Sequence, residues 1–149
     1  MGKREGEAVN RSCIVMMSAV CQSYVEEVFM ECSSSVFGAG FEDIRDEYIK
    51  TFKRWGNPNP NNIRNLFKRI AVKDVFNGLK WQGRSQQQVT VMLDSLNQMR
   101  NDIAHGENVI KVDNEIFTPT LPRVRLYRDF LQVFGSKFHG HALSLVRNR

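Results

Sequence analysis

The stretch LDSLNQMRNDIAHGENV, Leu93 to Val109, sets Arg100, Asn101, Asp102 and His105 side by side and follows them at once with Gly106. At about 100° per residue on a helix, Arg100 falls near the side that carries Leu93 and Leu96, at an inner or groove-facing edge. Asn101 and His105 are four apart, so the amide can meet the imidazole over one turn and fix its tautomer. A guanidinium offers fixed donors and a permanent charge, which suits a phosphate. A histidine titrates at about 6.5 when unperturbed and can move a proton at neutral pH. Phosphate clamp and proton carrier, with no carboxylate cluster to hold a metal, suit metal-independent RNA cleavage. The 2′-hydroxyl would be the nucleophile, His105 its base or the acid for the leaving oxygen, and Arg100 the stabiliser of the crowded phosphorane. No cofactor is required. Attack and departure need a base and an acid, whereas one chain supplies one histidine here, so a two-fold homodimer would complete the site. The plainer alternative is a helix stop: His-Gly ends many helices, the dipole favours His⁺ there, and Arg100 could pair with Asp94 or Asp102.

Helices must position these residues. Apolar positions recur at three and four from Val9 through Cys13, Met16, Met17, Val20, Tyr24 and Val28 to Cys32, a first helix from about Ala8 to about Val36 that SSS and GAG end. FEDIRDEYIKTFKRW carries a second stripe through Phe41, Ile44, Tyr48, Phe52 and Trp55. GNPNPNN breaks the chain, and Asn61 or Asn62 can cap a third helix, IRNLFKRIAV. KDVFNGLKW reads as a short turn or helix. Ser85 can cap the fourth main helix, Gln86 to Ala104, which carries the arginine and histidine. Ile110, Val112 and Ile116 alternate around Asp113-Asn114 as a short hairpin or an extended loop. Pro119 and Pro122 bracket the start of a last helix with Val124, Tyr127, Leu131, Phe134 and Phe138 on one stripe, interrupted at Gly135 and Gly140. The expectation is an all-α fold: a four- to five-helix up-and-down antiparallel bundle, one domain over residues 1–149.

Bulk properties fit this. The chain has 149 residues, 42% hydrophobic and 25% charged, which suits one soluble globular domain and excludes disorder. A net charge of +5 and a pI near 9.3 permit an anionic partner such as RNA. Cys13, Cys21 and Cys32 are an odd set without CxxC spacing, so reduced thiols in a cytoplasmic protein are expected. CIVMMSAVC follows a basic segment as a signal peptide would. However, Gln22, Ser23, Glu26 and Glu27 come at once and no A-x-A site stands in place. No segment is read as reaching the roughly 18 apolar residues of a membrane span.

Other candidates are weaker. Glu27, of the adjacent pair Glu26 and Glu27, could orient Arg100 across the bundle, and Asp102 could support it from the same helix, although an acidic pair more commonly forms a solvated face. His139 and His141, two apart, point to opposite sides of a helix with no third ligand near, so no metal site is expected. The basic residues Lys50, Lys53, Arg54, Arg64, Lys68, Arg69, Lys73, Lys80 and Arg84 are interleaved with Phe52, Trp55 and Phe67 and could track an RNA backbone, with Lys68, Arg69 and Lys73 as the chosen RNA contacts. The rings fit the helical core stripes better than they fit stacking on bases.

LNQMRNDIAHG also resembles the R-x4–6-H signature of HEPN domains, with the polar residue after the arginine that this family favours. CIVMMSAVCQSYVEEVF resembles the family's first helix, and PNPNNIRNLFKRIAVKDVF its Pro-Asn turn leading into a helix. The similar branch is the bacterial stand-alone RiboL-PSP and MAE-28990 type, and the likeness runs from about residue 10 to the last helix. This resemblance implies a small helical bundle, usually dimeric, with the motif at the dimer cleft. It further implies a metal-independent endoribonuclease of toxin–antitoxin, abortive-infection or other anti-phage systems, with an antitoxin or defence-system protein as partner. By position Arg100 and His105 are the implied catalytic pair and Asn101 the polar assistant. The alternatives are a non-catalytic interaction module and a nucleotide-binding helper.

Overall fold

A computed structural model describes residues 2–148. Helices hold 68% of the chain: α1 (Lys3–Phe37), α2 (Phe41–Lys50), α3 (Pro60–Lys68), α4 (Gln86–Ala104) and α5 (Leu121–Arg147). Between α4 and α5 lies a two-stranded antiparallel hairpin, β1 (Ile110–Val112) and β2 (Glu115–Phe117). Asp113 and Asn114 turn it with φ of 52° and 66°, the left-handed pair that a tight hairpin turn requires. The expected all-α bundle with a short hairpin before the last helix is therefore the fold.

The three long helices set the frame. α4 runs antiparallel to α1, with Arg11 beside Glu107, and antiparallel to α5, with Ser95 bonded to Tyr127 and Arg84 over the Phe130 ring. Two antiparallel pairs leave α1 and α5 parallel: Asn10 bonds Pro119 O, Tyr24 bonds Gly135 O and Glu31 bonds His139, in rising order along both. One hydrophobic cluster draws on α1, α3, α4, α5 and residues 70–79, with Tyr48 and Ile49 of α2 packed against it. Phe29, Phe67, Phe76, Phe134 and Phe138 are its largest fully buried side chains.

Several element ends differ from the sequence reading. α1 begins at Lys3, earlier than Ala8. α2 stops at Lys50, because the Thr51 hydroxyl bonds back to Tyr48 O and the chain leaves as turns, so Phe52 and Trp55 are placed by loop. α3 is capped by Asn59, whose Oδ1 accepts the Asn62 N–H, with Pro60 in the first helical position where a missing N–H costs nothing. It ends early because Ala71 takes a φ of 59°. α5 passes through Gly135 and Gly140 without a break, and Gly135 admits the Tyr24 ring, which a Cβ would meet at 3.9 Å. The Ser85 cap of α4 stands as expected, with Gln88 returning the bond in a capping box.

The largest correction concerns α1. The stripe Val9, Cys13, Met16, Val20 is not core in its first half: Val9 is 51% exposed, Met16 66% and Val20 66%. The buried stripe is Ile14, Ser18, Cys21, Val25, Val28, Phe29 and Cys32, rotated around the same helix. Two apolar stripes on one helix satisfy the same periodicity, and only the packed neighbours decide between them. This also raises mean hydropathy to 1.3 over the most apolar 18 residues of α1. It is therefore long and apolar enough to cross a membrane by length and composition, contrary to the sequence expectation, and 33% of that window is buried in the bundle. A bundle's core helix passes the same test.

Phe138→Ala should cost about 3–5 kcal/mol in a denaturant melt, the loss for a fully enclosed ring, while Ile116→Ala, at a position 72% exposed, should change stability by less than about 0.5 kcal/mol.

Candidate active site

The C-terminal turn of α4 is closed by backbone geometry. Gly106 N–H donates to Ile103 O at 3.1 Å and Glu107 N–H to Asp102 O at 2.9 Å, with Gly106 at φ 72°. That is a Schellman stop, and His105 is its capping residue. The plain helix-end reading is therefore right about the backbone, and it leaves the side chains of Arg100, Asn101 and His105 open to other use.

Two further ties pin the segment beyond His105. The Asp102 carboxylate accepts the Lys111 N–H at 2.7 Å and so joins β1 to α4. The Arg11 guanidinium of α1 donates to Glu107 O at 2.9 Å and Asn108 O at 2.7 Å. Gln98 adds a third tie, exchanging bonds with Asp113 backbone and carboxylate. Asp102, read as a support for Arg100, instead holds the hairpin.

Asn101 lies half-buried between two donors. Its Oδ1 accepts from Arg100 Nη1 at 3.2 Å and from Asn57 Nδ2 at 3.1 Å. The expected contact with His105 is not made, because the acceptor is engaged from the other side, toward the Pro-Asn loop. Asn57 is in turn fixed by Asn62, which donates to its carbonyl at 2.8 Å. Among the described residues, neither Arg100 nor His105 has a carboxylate partner, and the His105 imidazole has no hydrogen bond. Asp94 is taken by Gln98 rather than by Arg100. Arg100 is half-buried and His105 exposed at the end of the same helix.

Glu27 does not reach Arg100. It is exposed on α1, bordering shallow hollows toward α2 and α5, while Glu26 accepts the Trp55 indole N–H at 2.7 Å. Of the three basic residues chosen from sequence, Arg69 lines a groove with Lys50, Lys53 and Arg54, whereas Lys73 borders a different hollow with Asp74 and Lys68 is exposed beside Asn65. His139 and His141 diverge as expected, one 2.6 Å from Glu31 and the other 3.0 Å from Val75 O, where burial lowers the pKa of His141. Among the described residues no group of three His, Cys, Asp or Glu could hold a metal ion. Sequence reasoning missed Arg11 and Asn57. Arg11 carries no local signal, and Asn57 stood only in the Pro-Asn turn.

A helical bundle whose fourth helix ends in R-x4-H is the frame of a HEPN-type domain. The chain matches the RiboL-PSP-HEPN family over residues 32–143, which take in the Pro-Asn loop, all of α4 and most of α5, and it belongs to that family. HEPN domains are in general associated with ribonuclease activity. No curated protein and no solved structure matches the chain.

Asp102→Ala should speed amide exchange at Lys111 while leaving Leu93 and Leu96 protected, as expected for a local opening. Gly106→Ala should cost about 1 kcal/mol through its positive φ alone, since no atom lies within 4 Å of the added Cβ.

Proposed function

We propose that this chain, as a single domain, is a metal-independent endoribonuclease acting on single-stranded or loop RNA, with Arg100 and His105 as the catalytic pair. The observation that carries the reading is a half-buried guanidinium without a carboxylate partner, on the same helix end as an unengaged imidazole. Arg100 keeps donors free for a phosphate, and Asn101 fixes its orientation through Nη1. In the reaction the 2′-oxygen forms a bond to phosphorus and gives its proton to an imidazole, and the bond to the 5′-oxygen breaks as that oxygen takes a proton from an imidazolium. The products are a 2′,3′-cyclic phosphate and a 5′-hydroxyl.

One chain offers one such histidine. The other two are engaged near Glu31 and Val75; Glu31 lies twenty residues beyond Arg11, about 30 Å along α1. The second proton carrier is therefore assigned to the partner copy of a homodimer, joined through the exposed α1 stripe Val9, Cys13, Met16 and Val20. Arg11 ties the loop after His105 to the same half of α1, so a seam there brings two helix ends together. The thiols offer a reporter. Burial pushes Cys21 up to about 12 and Cys32 up to about 11, so both stay protonated, while Cys13 is half-buried within the stripe. A cytoplasmic toxin–antitoxin or anti-phage role, restrained by an antitoxin or another defence-system protein, is the setting that the family suggests. The same stripe equally favours a non-catalytic module that seats such a partner.

His105→Ala and Arg100→Ala should each lower cleavage of a single-stranded RNA at least about 10²-fold with helicity unchanged, and a 2′-deoxy nucleotide at the scissile position should block it. EDTA should have no effect. Full activity of either variant, or abolition by EDTA, overturns the mechanism. Met16→Glu with Val20→Glu should turn a dimer into a monomer in light scattering, expose Cys13 to alkylation and abolish cleavage. A monomeric wild type that cleaves as well as expected overturns the shared site.

A further inference from the structure

The groove between the end of α2 and α3 has a charge unlike that of its neighbours. It encloses about 540 Å³ and is lined by Lys50, Lys53, Arg54 and Arg69 together with Trp55 and Asn62, with no carboxylate in its wall. Lys50 is paired to Glu47 outside it, Arg69 bonds only the neutral Thr51 hydroxyl, and Lys53 and Arg54 have no ion-pair partner among the described residues. The adjoining hollow beside α4 holds Asp94 and Asp113, and the hollow between α1 and α2 holds Glu26, Glu27 and Glu42. Those hollows mix the signs, with Arg64 in the first and Arg45 in the second, whereas this groove carries cations alone.

A run of hydrogen bonds connects this groove to the R-x4-H helix end, and a fixed aromatic stands in its wall. Asn62 lines the groove and donates to Asn57 O; Asn57 donates to Asn101 Oδ1, which also receives Arg100. Trp55 stands half-buried in the same wall with its indole N–H held by Glu26, which presets the ring rather than leaving it to swing.

We propose that this groove is the binding track for the single-stranded RNA flanking the scissile phosphate, with phosphates on Lys53, Arg54 and Arg69 and one base stacked on Trp55. The choice of ligand rests on the ribonuclease reading above. The charge pattern fits a repeating anion, and a fixed indole beside cations is the pairing that single strands use without sequence preference. A duplex presents no free base face to Trp55, so single strands are preferred. Here the aromatic is part of the surface that reads RNA, and the tryptophan that a helical stripe would assign to the core serves both.

The test uses the full chain as His105→Ala, to prevent turnover, with a fluorescein-labelled twelve-nucleotide uridine strand, a duplex of equal length and poly-glutamate as probes. In a Trp81→Phe background, which leaves Trp55 as the sole tryptophan, the strand should quench emission. Joint Lys53→Ala, Arg54→Ala and Arg69→Ala should weaken strand binding at least about 10-fold and reduce the dependence of log affinity on log salt by about 2–3, with circular dichroism unchanged. In the active protein the same triple change should raise KM far more than it lowers kcat. Undiminished binding, absent quenching, or equal binding of poly-glutamate overturns the proposal. A groove that binds as described in a wild type that cleaves nothing leaves the track standing and removes the catalytic reading alone.

Discussion

The Phe138 ring is the contact on which this bundle turns. It meets Phe134 at 4.9 Å, Phe67 at 5.6 Å, Phe76 at 6.2 Å and Tyr24 at 6.4 Å, and so joins α5, α3, the segment after α3 and α1 in one place. Edge-on and offset arrangements at these separations favour the pairs beyond the area they bury. Phe67 passes the chain of rings on to Phe29, and Phe29 to Phe52 and Tyr48, which brings the short α2 arm into the same cluster. With that pole fixed by rings, the opposite pole can be built from polar contacts.

That second pole adds hydrogen bonds between distant segments to the packing of Met99 and Ile110. Asn10 reaches Pro119, Arg11 reaches Glu107 and Asn108, Asn57 reaches Asn101, and Asp102 reaches Lys111. Each fixes a backbone or an amide that would otherwise be free near the end of α4. Ser95 and Tyr127 form the one hydroxyl pair inside the α4–α5 seam among the described residues, set among apolar neighbours. The two ends differ in kind: the ring cluster supplies stability at one, and at the other the hydrogen bonds leave the Arg100 guanidinium and the His105 imidazole without a carboxylate partner among the described residues.

The parts legible in the sequence are those set by short spacing. Ser85 as a cap, the pair Asp113-Asn114 as a turn, and the run from Arg100 to Gly106 as a helix end each declare themselves within a few residues, and the structure keeps all three in place. What failed depended on distance. Asn57 to Asn101 spans 44 positions and Arg11 to Glu107 spans 96, so no local pattern carries them. Asn101 and His105 have the right spacing to meet, but two donors from elsewhere claim the amide oxygen. α1 misled for a different reason: its serines at 18 and 33 are buried while its methionine at 16 is not, because the elements packed on the helix, rather than its apolar spacing, decide which face is covered.

The clasp around residues 102–111 has a consequence for chain length. Its two ends are fixed at Asp102 and Lys111, and its middle, Glu107 and Asn108, is held by main-chain carbonyls whose side chains play no part. Identity at those two positions is therefore free. One residue added between Arg100 and His105 is a different matter. It would rotate the imidazole by about 100° and advance it about 1.5 Å, which moves it from about 140° on one flank of the guanidinium to about 120° on the other. The fold thus tolerates drift in the arc beyond the histidine, whereas a change of count before it moves the imidazole from one flank of the arginine to the other.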